Sequence, residues 1–188
     1  MKKTNTSSTI IAALAATLSI GLLSGCATPK YTSDISYMSA SQKEHEESIL
    51  NEHLQKYAAA QTPEDKAAAL EEVGFRYMVL GQLDESISYY EQLLEIDTVH
   101  YPALNNIVSM YEEMGEAKKA LQYAERLFYN YVDNSQSLSL YIKLLVAEKD
   151  FIKAHDAVKR YSETETGKKY PEFVKEQQDY IQKAASRK

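Results

Sequence analysis

A period of 34 residues limits what this chain can become more than any other feature of it. The period begins near Ala67 and returns at Tyr101 and Ser135. With Gly81 as the mark of a turn, Leu70, Val73, Gly74, Tyr77, Ser86, Tyr90 and Leu93 stand at fixed offsets in the first copy. The second copy fills the same offsets with Leu104, Ile107, Val108, Tyr111, Ala120, Ala124 and Leu127, and Gly115 again marks the turn. The third supplies Leu138, Tyr141, Ile142, Leu145, Ala154, Val158 and Tyr161. Apolar residues matched over a fixed period mean one supersecondary unit repeated, each copy burying its face against the next.

The pattern resembles the tetratricopeptide repeat, a helix-turn-helix module recognised by a set of large and small residues. The resemblance covers residues 67 to about 163, with repeats at about 67–100, 101–134 and 135–163. It implies an all-α fold, an α-solenoid of three helix-turn-helix repeats with flanking N-terminal and C-terminal helices. In the first copy Gly74 stands where the two helices approach, and Tyr77 follows one turn later. Val108 replaces the usual small residue in the second copy, which predicts a slightly looser helix crossing there. The third copy is the most divergent: its turn carries Lys149-Asp150 without glycine, and Leu145 stands in place of the tyrosine.

The flanks of the repeats also read as helices. Ile49, Leu50, His53, Leu54 and Tyr57 recur at helical spacing, which predicts a helix from Ser41 to about Ala60 packed on the first repeat. Thr62 can cap a new helix, Pro63 suits its first position, and Glu64 and Asp65 favour its positive end. Residues 163–169 read as a polar break containing Gly167. Pro171 then opens a capping helix, within 170–185, that places Phe173, Tyr180 and Ile181 on one side and covers the last apolar face. The helical domain so defined runs over 41–185.

The start of the chain carries a different signal. Met1-Lys2-Lys3 is positive, Thr9 to Leu23 is apolar and uncharged, and Leu23-Ser24-Gly25-Cys26 closes the run. This is the layout of a secretory signal, shorter than the about 20 apolar residues that a spanning helix wants. It resembles a bacterial lipoprotein signal over residues 1–25, which implies cleavage before Cys26 and a lipid, palmitate included, on that residue. Each buried methylene contributes about 0.8 kcal/mol, so several acyl chains hold a protein on a membrane without spanning it. Residues 26–40, rich in Ser, Thr and Ala, read as a flexible tether. Ala27-Thr28 lacks the aspartate that favours inner-membrane retention in enteric-type bacteria, so a cell envelope location at the outer membrane is the expectation for a two-membrane cell.

Charge narrows the partners. Without residues 1–25, the 21 basic residues fall to 19 against 27 acidic, a net charge of −8, and such a surface repels nucleic acid. Cys26 is the only cysteine, so its lipidation leaves no thiol for a disulfide. His45 and His53 lie eight residues apart, too far along a helix to grip one ion as a pair four apart would, so no metal and no cofactor are expected. Neither a phosphate loop nor a nucleophile motif occurs, and the chain does not read as an enzyme. Of the fifteen tyrosines, Tyr77, Tyr90, Tyr111, Tyr141 and Tyr161 fall on core positions, while Tyr101, Tyr129 and Tyr131 do not.

Function then rests on surface. In a tetratricopeptide array the first helix of each repeat lines a groove, which by resemblance displays Glu71, Phe75 and Met78, then Asn105, Ser109 and Glu112, then Ser139, Lys143 and Val146. The Lys, Asn and Arg clamp with which chaperone-binding members hold a carboxylate is not among these residues. Phe75 and Met78 beside amides and hydroxyls suit an extended or helical peptide of an envelope protein. They equally suit the helix 41–60 folding over them. The function implied is an interaction scaffold or assembly factor. The alternative is a small-molecule or cell-wall fragment binder with a pocket between the N-terminal helix and the first repeat. Oligomeric state is open.

Overall fold

A computed structural model describes residues 34–187. The signal segment 1–25, the lipidation site Cys26 and most of the tether lie outside the described residues. Nine helices and no strand occur among the described residues: α1 (Ala40–Ala59), α2 (Pro63–Val79), α3 (Leu83–Ile96), α4 (Tyr101–Glu113), α5 (Ala117–Asn130), α6 (Ser135–Ala147), α7 (Phe151–Ser162), α8 (Glu165–Lys169) and α9 (Pro171–Ala185). The fold is the expected all-α repeat array: α2–α3, α4–α5 and α6–α7 are three successive hairpins, and each helix packs on its sequence neighbours.

Three turns of one geometry build the hairpins. Gly81 and Gly115 adopt φ of 71° and 75°, and Lys149 holds the same left-handed conformation at 60°. In each turn the next residue's N–H reaches back five residues in a Schellman bond: Gln82 to Tyr77 O at 2.9 Å, Glu116 to Tyr111 O at 2.8 Å and Asp150 to Leu145 O at 2.8 Å. The glycine that the third copy lacks is replaced by a strained lysine, and the turn survives.

Inside a hairpin the apolar offsets pair across the helices. A Cβ on Gly74 would lie 3.2 Å from the Tyr90 ring, so the small residue is what admits the large one. The equivalent places hold Val108 with Ala124, and Ile142 with Val158, all fully buried. Side-chain volume has thus moved from the second helix to the first, and Val108 is accommodated by an alanine across from it. Ser86 keeps the remaining polar group satisfied by donating to Gly74 O at 2.7 Å. A second repeated pair lies outside it: Tyr77 stacks on Tyr89 at 5.3 Å, and Tyr111 meets Tyr123 at 5.7 Å, 34 residues on.

The main core runs continuously from Leu70 to Ile181. Tyr90, Tyr141 and Tyr161 are among its largest buried side chains. At the N-terminal end, Ser39 and Gln42 form a capping box that starts α1. Leu50 packs with Val73 and Leu80, with Leu54, Tyr77 and Tyr89 at the edge. Tyr57 adds an edge-on contact to Tyr89 at 6.0 Å and donates to Gln92 Oε1 at 3.0 Å. α1 therefore sits where the second helix of a preceding repeat would sit. Thr62 caps α2 by accepting from Asp65 N at 3.0 Å, with Pro63 in the first position.

The C-terminal end departs from expectation twice. The polar break at 163–169 is partly helical: Thr164 caps the short α8 by accepting from Gly167 N at 3.0 Å. Gly167 is buried there, and a Cβ on it would stand 2.0 Å from Tyr161 O. In α9 the buried residues are Val174 and Ile181 with Phe173 partly buried, whereas Tyr180 is exposed. Val174 and Ile181 lie two turns apart on one face, as Phe173 and Tyr180 do on the next, and the packed neighbours bury the first pair more deeply.

Three stability measurements follow. Gly167→Ala forces a backbone clash and is expected to lower stability by about 1–3 kcal/mol in chemical denaturation. Lys149→Gly removes the left-handed strain against some gain of unfolded-chain freedom, and a stabilisation of about 0.5–1 kcal/mol is expected. Burial first, and then hydrogen bonds to Glu91 and Glu125, raise the Tyr123 and Tyr141 phenols above their ordinary value. The folded state thus prefers the neutral ring, so this contribution is complete below pH 10 and is lost as pH climbs past it. Denaturation midpoints at about pH 9 and about pH 11 are expected to show the drop, and Tyr123→Phe is expected to lessen it.

Candidate functional site

The first helices α2, α4 and α6 share one face, and on it the repeat offsets bring residues from separate hairpins together. Glu112 of α4 and Lys143 of α6 form an ion pair, Nζ lying 2.6 and 2.9 Å from the two carboxylate oxygens. Ser109 turns its hydroxyl to Asn105 O of its own helix at 3.1 Å. Asn105 and Ser139 are half-buried between them. The middle of the face is therefore small, polar and electrically balanced.

The half nearer the N-terminus has relief. Glu71, Glu72, Phe75 and Arg76 of α2, Tyr90 of α3, and Pro102 and Asn106 of α4 surround a hollow of about 320 Å³. The proline and the two aromatic rings give apolar walls. Asn106 donates to Tyr90 Oη at 2.9 Å, fixing the carboxamide. Arg76 lies over the Phe75 ring at 5.1 Å, reaches Glu46 of α1 at 2.9 Å and Glu72 at 3.5 Å, and keeps a buried Nε without a partner. Glu71 faces His100 Nε2 at 3.6 Å. His100 also caps α4 by accepting from Ala103 N through Nδ1, which leaves its hydrogen on Nε2 in the neutral ring.

Of the residues placed on the groove by their offsets, Glu71 and Phe75 line this hollow, while Asn105, Ser109, Glu112, Ser139 and Lys143 continue the face beyond it. Val146 is half-buried against the core. Met78 is a correction: at 1% exposure it belongs to the core. The period alone leaves it on their side of α2, but it also continues the buried row of Leu70 and Gly74, and the neighbouring helices close over it. Leu50 of α1 rests on Val73 and Leu80, in a cluster that contains neither Phe75 nor Met78.

Arg76, Pro102 and Asn106 were not singled out by sequence reasoning. Glu72 and Asn106 share one repeat offset, a single residue beyond Glu71 and Asn105, and that adjacency was the signal available. Arg76 had none, since its partner Glu46 is 30 residues away in sequence.

A second hollow, of about 460 Å³, lies between α1 and α2, where the small-molecule alternative placed its pocket. Ala59, Ala60, Ala68 and Ala69 leave the space, and His53, Lys56, Gln61, Asp65 and Glu72 border it. Lys56, Gln61, Asp65 and Ala68 are exposed, so the hollow is an open notch rather than a sealed cavity. His53 stands 3.9 Å from Glu72. Among the described residues no group of three or more His, Cys, Asp or Glu could hold a metal ion, and no helix is long and apolar enough to cross a membrane.

Tyr101 and Tyr131 meet edge-on at 5.0 Å; Tyr131 Oη donates to Val99 O and Arg126 to Thr98 O. Those contacts lock the first repeat to the second. Tyr129 stays half-exposed, with the Arg160 guanidinium 5.6 Å from its ring centre.

Residues 77–100 match a family model described as a tetratricopeptide repeat. Over 80 residues the chain is 38% identical to an uncharacterized protein, ycf37, of Pyropia yezoensis. That stretch takes in 43% of this chain and spans 40% of the other protein's length. No solved structure gives a significant match.

Met78→Ala should cost about 2–5 kcal/mol in denaturation, as a truncation in a close-packed core does. Lys143→Ala, on an exposed pair, should change stability by less than about 1 kcal/mol.

Proposed function

We propose that this chain is a binding module for protein partners, an interaction scaffold or assembly factor that offers the face of α2, α4 and α6 to an extended or helical segment. The observation that carries this is the face itself: a hollow with apolar walls at Phe75, Tyr90 and Pro102 leads onto half-buried amides and hydroxyls at Asn105, Ser109 and Ser139. Anchors in a pocket beside hydrogen-bonding groups suit a peptide chain. The match to a tetratricopeptide repeat at 77–100 supports the same reading. The exposed rim of the notch between α1 and α2 suits a partner's side chain better than an enclosed small ligand or cell-wall fragment.

The finer part of the proposal is placement. The Leu23-Ser24-Gly25-Cys26 run supports lipid on Cys26 and a membrane-tethered envelope protein, and Ala27-Thr28 supports the outer membrane in a two-membrane cell. Two experiments test these parts separately. A photo-crosslinking residue at Ser109 should trap a partner in the native cell, whereas one at Glu95, on the exposed side of α3, should not; equal trapping would remove the face from the proposal. Phe75→Glu should abolish that trapping while leaving the helical circular dichroism intact. For the anchor, Cys26→Ala should end palmitate labelling and release the protein from the membrane fraction, and continued labelling would refute it.

A further inference from the structure

We propose that the hollow between α2 and α4 is a socket for a cationic side chain, lysine or arginine, carried by the partner segment; this rests on the peptide-binding reading above. Size and lining come first. About 320 Å³ walled by Phe75, Tyr90 and Pro102 fits an aliphatic stem, and carboxylates at the rim meet a charged head.

The charge balance decides the sign. Glu46, Glu71 and Glu72 bring three carboxylates to this corner, and Arg76 supplies one guanidinium. Arg76 is nearer Glu46, at 2.9 Å, than Glu72, at 3.5 Å, so its single charge is divided. The Nδ1 of His100 accepts from the Ala103 N–H, so this ring meets Glu71 through Nε2 alone, at 3.6 Å. His53 stands 3.9 Å from Glu72. Among the carboxylates and the guanidinium, three negative charges against one positive leave −2.

The rest of the face does not share this deficit, because Lys143 meets Glu112 directly. Selection for a cation is therefore confined to the boundary of the first and second repeats. A bare metal ion is not the occupant, since the described residues hold no cluster of three ligands. The apolar walls also ask for carbon between the charge and the chain that carries it. The chain's overall excess of acid draws a basic segment in from solution.

The test is selection of a random heptapeptide display library on the full chain, followed by affinity measurement on the selected peptides. Lysine or arginine is expected to dominate one peptide position. Binding should weaken about tenfold in Glu71→Gln and in Glu72→Gln, and fall further at high salt, while Glu95→Gln binds as the parent does. Circular dichroism melts of the variants check that the fold is unchanged. Peptides selected with no basic preference, or bound equally by both glutamine variants, would overturn the socket and leave the peptide-binding reading standing. A library that yields no binder would overturn both. Acetyl-lysine amide binding as tightly as the whole peptide would overturn the partner-segment occupant in favour of a free cationic molecule.

Discussion

A two-helix hairpin of this chain has an apolar side towards each neighbour, and only stacking covers both. That is the constraint on which the rest depends. It explains why the core is continuous from Leu70 to Ile181 and why the ends need α1 and α9. It also explains the exchange of bulk across each hairpin. What burial fixes is the summed volume between the two helices, so Gly74 with Tyr90 and Val108 with Ala124 are equivalent solutions. The turns obey a backbone constraint of the same kind. Lys149 accepts a left-handed conformation because the hydrogen bond from Asp150 N–H to Leu145 O and the packing on either side leave the chain no other way back.

Once burial is satisfied, one side of each first helix is left to other uses. Stacking places Glu71 next to His100, Arg76 next to Glu46 and Lys143 next to Glu112, residues drawn from different helices. Partly exposed pairs of this kind contribute little to stability. Their importance lies in the local charge they leave. Lys143 neutralises the middle of the face, and one divided arginine against three carboxylates leaves the boundary of the first two repeats acidic. A binding preference is thus set by residues that the fold hardly needs.

The fold was readable because burial in a repeat recurs at fixed offsets, and Leu104, Ile107 and Leu127 could be placed from their counterparts one period away. The flanking elements were readable in part. The Leu50, Leu54 and Tyr57 stripe and the Thr62-Pro63 start follow local rules of helix formation. Tyr180 was misplaced and Val174 missed because a single short helix has two neighbouring apolar stripes, and the neighbours decide which one is buried. Within the candidate site, Phe75 and Glu71 were found from their offsets. Met78 was assigned to the same face because seven residues from Glu71 is two helical turns, and only the packing of the neighbouring helices buries it.

The sequence by itself determined that this chain makes helices, that they pair about short turns, and that the pairs repeat, because propensity, capping and apolar period are all written in local spacing. The tertiary structure alone decided that Arg76 answers to Glu46, that α1 rests on Val73 and Leu80, and that Tyr90, Pro102 and Asn106 close a hollow with Glu71. These depend on which helix faces are brought within a few ångströms of each other. Distance between helices is a property of the stacked array, and no spacing along the chain encodes it.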